Sequence, residues 1–160
     1  MFSIGDKVVY PMHGAGIIEA IEEKKILGEN RIYYVMRVPY GDMKIMIPCE
    51  STESVGVREV INESEIGHVE EILRKDSTEM PDNWNRRYRD NMDKLRSGEI
   101  PQICEVVRNL MRVDRLRKLS TGEKKLLTNA KQILVSELIL ASEKDLEEVT
   151  VLIEENVFGA

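Results

Sequence analysis

The 160-residue chain has only two cysteines, two histidines and one tryptophan, and each scarcity removes a class of function. Cys49 and Cys104 stand 55 positions apart with no CxxC and no nearby histidine spacing. They read as reduced, small hydrophobes of a cytoplasmic protein, not as a disulfide or a zinc site. His13 reads as a turn or barrel-rim residue, and His68 as a solvated or packed residue on an acidic helix. No serine or cysteine has a recognisable base partner, no phosphate loop occurs, and no carboxylate pair stands out; Glu22-Glu23 and Glu147-Glu148 are surface charge. No enzyme activity, cofactor, metal or small-molecule substrate is therefore expected. Apolar runs fall short of the ~18 residues of a membrane span. The start, Met1-Phe2-Ser3-Ile4-Gly5-Asp6, has neither the basic start nor the apolar run of a signal peptide.

What is present describes a globular protein, with 42% hydrophobic and 32% charged residues. The first ~57 residues carry β-rich runs with Gly/Pro punctuation. Asp6 to Tyr10 is closed by Pro11, Gly14 and Gly16; Ile17 to Ile26 ends at a turn over Gly28-Glu29-Asn30. Arg31 to Val38 ends at Pro39, the turn Tyr40-Gly41-Asp42 leads into Met43 to Pro48, and a brief strand is expected around Val55-Gly56-Val57. Five short strands predict a small barrel, near the lower size limit for independent stability, that leans on the rest of the chain or on a partner. Most of the eight methionines fall at core positions. Strand alternation instead puts Met46 on the Lys44 face, opposite Ile45 and Ile47.

From Asn62 the period turns helical. Asn62 with Glu65 forms a cap signature before Ile66, Val69, Ile72 and Leu73. Asp82 or Asn83 caps a helix that stops at Ser97-Gly98, and Pro101 opens a third. Ser120-x-x-Glu123 is a capping box for a long helix through Leu126, Ala130, Ile133, Leu134 and Leu138. Ser142 with Asp145 caps a last one. The fold class is α+β: a five-stranded barrel over 1–58, then an all-helical domain of about five helices over 59–160, with a linker or hinge between Arg58 and Asn62.

The single tryptophan, Trp84, sits in Asn83-Trp84-Asn85-Arg86-Arg87-Tyr88-Arg89, the densest basic cluster of the chain. Arginines bind phosphates in two-toothed fashion, and a large ring can wedge into or stack on bases. On the local string alone the favoured reading is that the ring anchors a helix to a core, since a lone aromatic is usually packed. Charge is segregated: residues 1–76 carry net -5, residues 77–131 net +5 and residues 132–160 net -6. A basic middle between acidic ends suits a modest phosphate contact, too weak alone and in need of a second attachment point.

Three segments in this order resemble the CarD family (CarD/CdnL) of bacterial transcription regulators, over nearly the full length. They are Val8-Val9-Tyr10-Pro11-Met12-His13-Gly14, the Asn83 to Arg89 cluster, and Leu119-Ser120-Thr121-Gly122-Glu123-Lys124-Lys125 continued by Ala130 to Leu138. The resemblance implies a Tudor-like barrel, similar also to the polymerase-binding domain of the transcription-repair coupling factor. Such a barrel docks on the lobe of the RNA polymerase β subunit by strand pairing. The helical domain would then reach promoter DNA at the upstream fork of the bubble, stabilising the open complex. Carried over, Trp84 is a minor-groove wedge, Arg86 and Arg89 hold the backbone, and Lys124 faces DNA, with Arg87 and Lys125 grouped beside them. Lys24 matches a basic polymerase contact, and Lys44 and Met46 lie on the same docking side. Met46 departs from the pattern, which has arginine there. No membrane contact is expected from the short apolar runs, and a monomer is the default expectation. A protein-binding adaptor with Trp84 in its core, and an RNA-binding module, stand as the other two classes.

Overall fold

The computed structural model describes residues 1–39 and 42–159, so Tyr40 and Gly41 of the expected turn lie outside the described residues. Strands β1 (Lys7–Tyr10), β2 (Gly14–Ile26), β3 (Glu29–Val38), β4 (Met43–Pro48) and β5 (Arg58–Glu59) form one antiparallel sheet in the order β4-β3-β2-β1-β5. Alternation sends Val8, Ile18, Tyr34, Met36, Val38 and Ile47 to one buried face, with Ile45 and Val57 packed against them. Residues on or beside both edge strands thus meet in one apolar core, which requires the sheet to curl as a small barrel does. A bulge assists the curl. Pairing passes from Ile18↔Met36 to Ala20↔Val35, leaving Glu19 as the extra residue.

Three local expectations are corrected. Gly14 and Gly16 lie inside β2, and the corner is Pro11–His13, with Met12 at φ 72. The β2–β3 turn is Leu27-Gly28, at φ 52 and 81, so Glu29 and Asn30 already belong to β3. Two successive positive φ values match the twist of a two-residue hairpin. No strand forms at Val55–Val57; a helical turn, α1 (Thr52–Val55), ends there on Gly56 in the left-handed region, and β5 follows it.

The helical half comprises α2 (Ile66–Arg74), α3 (Trp84–Arg96), α4 (Ile100–Leu116), α5 (Thr121–Ser142) and α6 (Leu146–Phe158). Ile66, Val69, Ile72, Leu73, Ile103, Val106, Val107 and Leu110 share its core with Leu126, Ala130, Ile133, Leu134 and Leu138. Asn83 caps α3 and Pro101 sits in the first turn of α4. The cap of α6 is Asp145, in a reciprocal box with Glu148; Ser142 is the last residue of α5.

α5 is buried on more than one face, Val135, Ser136 and Glu137 included, because it is sandwiched between α4 and the sheet. The Ser136 hydroxyl accepts the Ala15 N–H at 2.9 Å, and Lys7 Nζ donates to the Leu140 carbonyl at 3.1 Å. Gly14, at φ 103, passes so near that a Cβ there would lie 2.9 Å from Ser136 Oγ. The expected linker or hinge carries contacts to both halves. Arg58 donates twice to Glu137 at 2.7 Å and once to the Gly98 carbonyl at 2.8 Å, while the Ile61 N–H reaches the same carboxylate at 3.0 Å. Glu137 is fully buried, so the segment joining the halves is pinned rather than free.

Candidate functional site

α3 begins at Trp84 because the Asn83 side chain, on extended backbone, accepts the Arg86 N–H at 3.1 Å. Its first turn therefore projects the basic cluster from a fixed helix start. Trp84 is 44% exposed, which removes it from the core. Its ring stacks on Tyr88 one turn later, at 5.5 Å and 22°, and its Nε1–H donates to Ser120 Oγ at 3.0 Å. Arg86 and Arg89, on the same helix, are exposed, and among the described residues neither has a carboxylate within ion-pair distance. The first turn of α5 adds Lys124, half-buried, and Lys125, exposed.

Arg87 does not belong with these cations. Its side chain is 13% exposed and grips Glu123 with two hydrogen bonds of 2.8 and 2.9 Å, while also donating to the Pro81 and Asp82 carbonyls. Hydrogen bonding to Glu123 raises the Arg87 pKa against the opposing effect of burial, and the same contact holds the Glu123 carboxyl below its ordinary value. The capping box of α5 is consequently one-sided. Ser120 accepts the Glu123 N–H at 3.3 Å, but the Glu123 carboxylate turns to Arg87.

A carboxyl depressed in the folded state adds stability that is complete above its unfolded pKa and is lost as pH falls through the folded one. Glu123→Gln should therefore lower Tm at neutral pH, with the gap to wild type closing below about pH 4.3. Thermal melts across pH 2–7 check this, and a constant gap would remove the assignment.

Two cations escaped the sequence reading. Arg117 and Lys118, exposed just before α5, line a cleft with Trp84 and Ser120. Their signal was position: a basic pair abutting a capping box.

On the sheet, register collects the other candidates. Lys24 pairs Arg31, Met46 pairs Val35 and Lys44 pairs Arg37, and alternate positions of β3 share a side. Lys24, Lys44 and Met46 therefore lie on one outer face, away from the core that holds Tyr34 and Met36. Lys24 is exposed and Met46 is half-buried. Lys44 reaches Glu19 at 3.0 Å and Arg37 reaches it at 2.8 Å. Those two contacts, Arg37 first, lower the Glu19 pKa and neutralise part of the face. β4 is an edge strand, so one row of its backbone groups is unpaired with any described strand.

Of the two histidines, His13 stacks on Tyr10 at the corner and His68 is exposed on α2. The Cys104 thiol is pushed up to about 12 by burial and then by the Glu137 charge, which keeps it unreactive.

Residues 2–61 match the family model of the CarD-like/TRCF RID domain, and residues 68–154 match that of the CarD C-terminal domain. The chain is 46% identical over 138 residues to the candidate transcription factor YdeB of Bacillus subtilis (strain 168), covering 86% of this chain and 90% of that protein. It is also 30% identical to the 72-residue N-terminal domain of Myxococcus xanthus CarD, solved by solution NMR. That likeness covers 37% of this chain and 79% of the other, at a TM-score of 0.33.

Proposed function

The chain belongs to the CarD family and so to a class of transcription regulators, and on that premise we propose that it docks on RNA polymerase through its sheet and stabilises the open promoter complex through Trp84. The observation that carries this reading is an outward indole, 44% exposed, on a helix whose Arg86 and Arg89 are exposed and without an ion pair among the described residues, in a cleft that Arg117 and Lys118 also line. A ring with cationic neighbours fits a distorted or melted duplex, where the bases offer a stacking face and the phosphates offer charge. The basic patch is small, so a tether to polymerase is what makes the contact effectively intramolecular.

On the docking side, the free edge of β4 supports pairing with a strand of the polymerase β-subunit lobe, backbone giving affinity and side chains selectivity. Lys24 supplies charge there. Half-buried Met46 beside the part-neutralised Lys44 makes the contact more apolar than a family arginine would. An adaptor with Trp84 in its core loses its premise from the exposure of the ring. An RNA-binding barrel is disfavoured by the carboxylates of Glu19, Glu22 and Glu23 on or beside the outer face.

The test is retention of the chain on RNA polymerase, followed by the lifetime of promoter complexes with and without it. Failure of either step would sink the proposal. Arg86→Glu with Arg89→Glu should weaken promoter engagement more at low than at high salt. The slope of log affinity against log salt should become shallower by about 2, near one unit per lost phosphate contact. A loss independent of salt would point to misfolding instead.

A further inference from the structure

We propose that Ser120 is the positioning residue for Trp84, holding the indole in one pose so that it meets its ligand through carbon alone. The inference rests on the reading of Trp84 as the DNA-contacting wedge and adds how that wedge is set.

A tryptophan in the first turn of a surface helix has several staggered rotamers open to it. Here three contacts select one. The indole N–H donates to Ser120 Oγ at 3.0 Å, Tyr88 stacks against the ring, and the ring rests on α5 at Gly122. A Cβ on Gly122 would lie 3.2 Å from Trp84 Cζ2. Glycine is a poor helix residue, and its place in the first turn of α5 is explained by the room the ring needs.

Ser120 is itself held. Its hydroxyl also accepts the Glu123 N–H and donates to the Glu123 carboxylate, each at 3.3 Å, and Arg87 clamps that carboxylate. Arg87, Glu123, Ser120 and Trp84 thus form one chain of contacts, from a shielded ion pair to an exposed ring. The only polar hydrogen of the indole is already engaged in it. Arg87, withdrawn from the phosphate-facing set, acts on the site through this chain.

Trp84 is the sole tryptophan, so its fluorescence reports the pose without ambiguity. Ser120→Gly removes the hydroxyl with little loss of capping, and Ser120→Thr restores the hydroxyl. In the free full-length protein, Ser120→Gly should lower steady-state anisotropy and raise acrylamide quenching, with the held pose depopulated about five-fold. Ser120→Thr should match wild type. With RNA polymerase and a promoter, the same Gly variant should shorten open-complex lifetime part of the way to Trp84→Ala, and Thr should not.

Unchanged fluorescence in Ser120→Gly overturns the inference. So does a Thr variant that behaves like Gly, or a loosened ring whose open-complex lifetime stays at the wild-type value while Trp84→Ala shortens it. If Trp84→Ala itself leaves the lifetime unchanged, the wedge reading falls, and the fluorescence arm alone decides the role of Ser120.

Discussion

Trp84→Ala is expected to shorten the open-complex lifetime about ten-fold, the loss of one base–aromatic contact, while folding and polymerase capture stay close to wild type. The indole is 44% exposed, stacks on Tyr88, donates to the Ser120 hydroxyl and faces Gly122 at the rim of an open cleft, so its removal opens no internal void. Its effect is concentrated in the complex. A ring that fits distorted DNA and not closed duplex shifts the opening equilibrium by its differential affinity for the two states. Competitor-challenge decay of promoter complexes measures the lifetime, and circular dichroism melts check the fold. Equal decay with wild type and variant would end the wedge role.

Arg58→Ala is expected to be the most damaging single change to the fold, at about 3–5 kcal/mol. It strips both guanidinium bonds from a carboxylate with no solvent access, leaving Glu137 only the Ile61 N–H, and it orphans the Gly98 carbonyl. For a chain of this length the loss corresponds to a drop in Tm of roughly 10 °C. Arg31→Ala is the control. Arg31 also has two carboxylate partners, Glu29 and Glu50, but all three are exposed, and its loss should cost under about 1 kcal/mol. Similar melting points for the two variants would show that the pair between the halves does not hold them together.

Much of this architecture is legible in the sequence because its signals are local. Apolar spacing marks α2 to α5, Asn83 and Pro101 mark helix starts, and alternation assigns Ile45 and Ile47 to the barrel core. Trp84 stands out by rarity and by its neighbours. What escaped is non-local. Arg87 and Glu123 are 36 positions apart, and Arg58 and Glu137 are 79 apart, so neither pair leaves a mark in any short window. Arg87 is indistinguishable in sequence from Arg86 and Arg89, and helix geometry alone turns it inward. Glu137, an acid inside Leu134-Val135-Ser136-Glu137-Leu138, was the one available hint of a buried partner. The second buried face of α5 reads as excess hydrophobicity until the sheet is placed against it. The β2–β3 turn was misplaced because Leu27 accepts a positive φ that sequence reasoning reserves for glycine or asparagine.

The pinned junction has a further consequence. With Ala15 tied to Ser136 and Arg58 to Glu137, the span from the β4 edge to the indole is set by the fold, as in a caliper with locked jaws. Under the proposed function, a protein built this way would gauge where strands part by distance from its anchorage, whatever letters occupy that place.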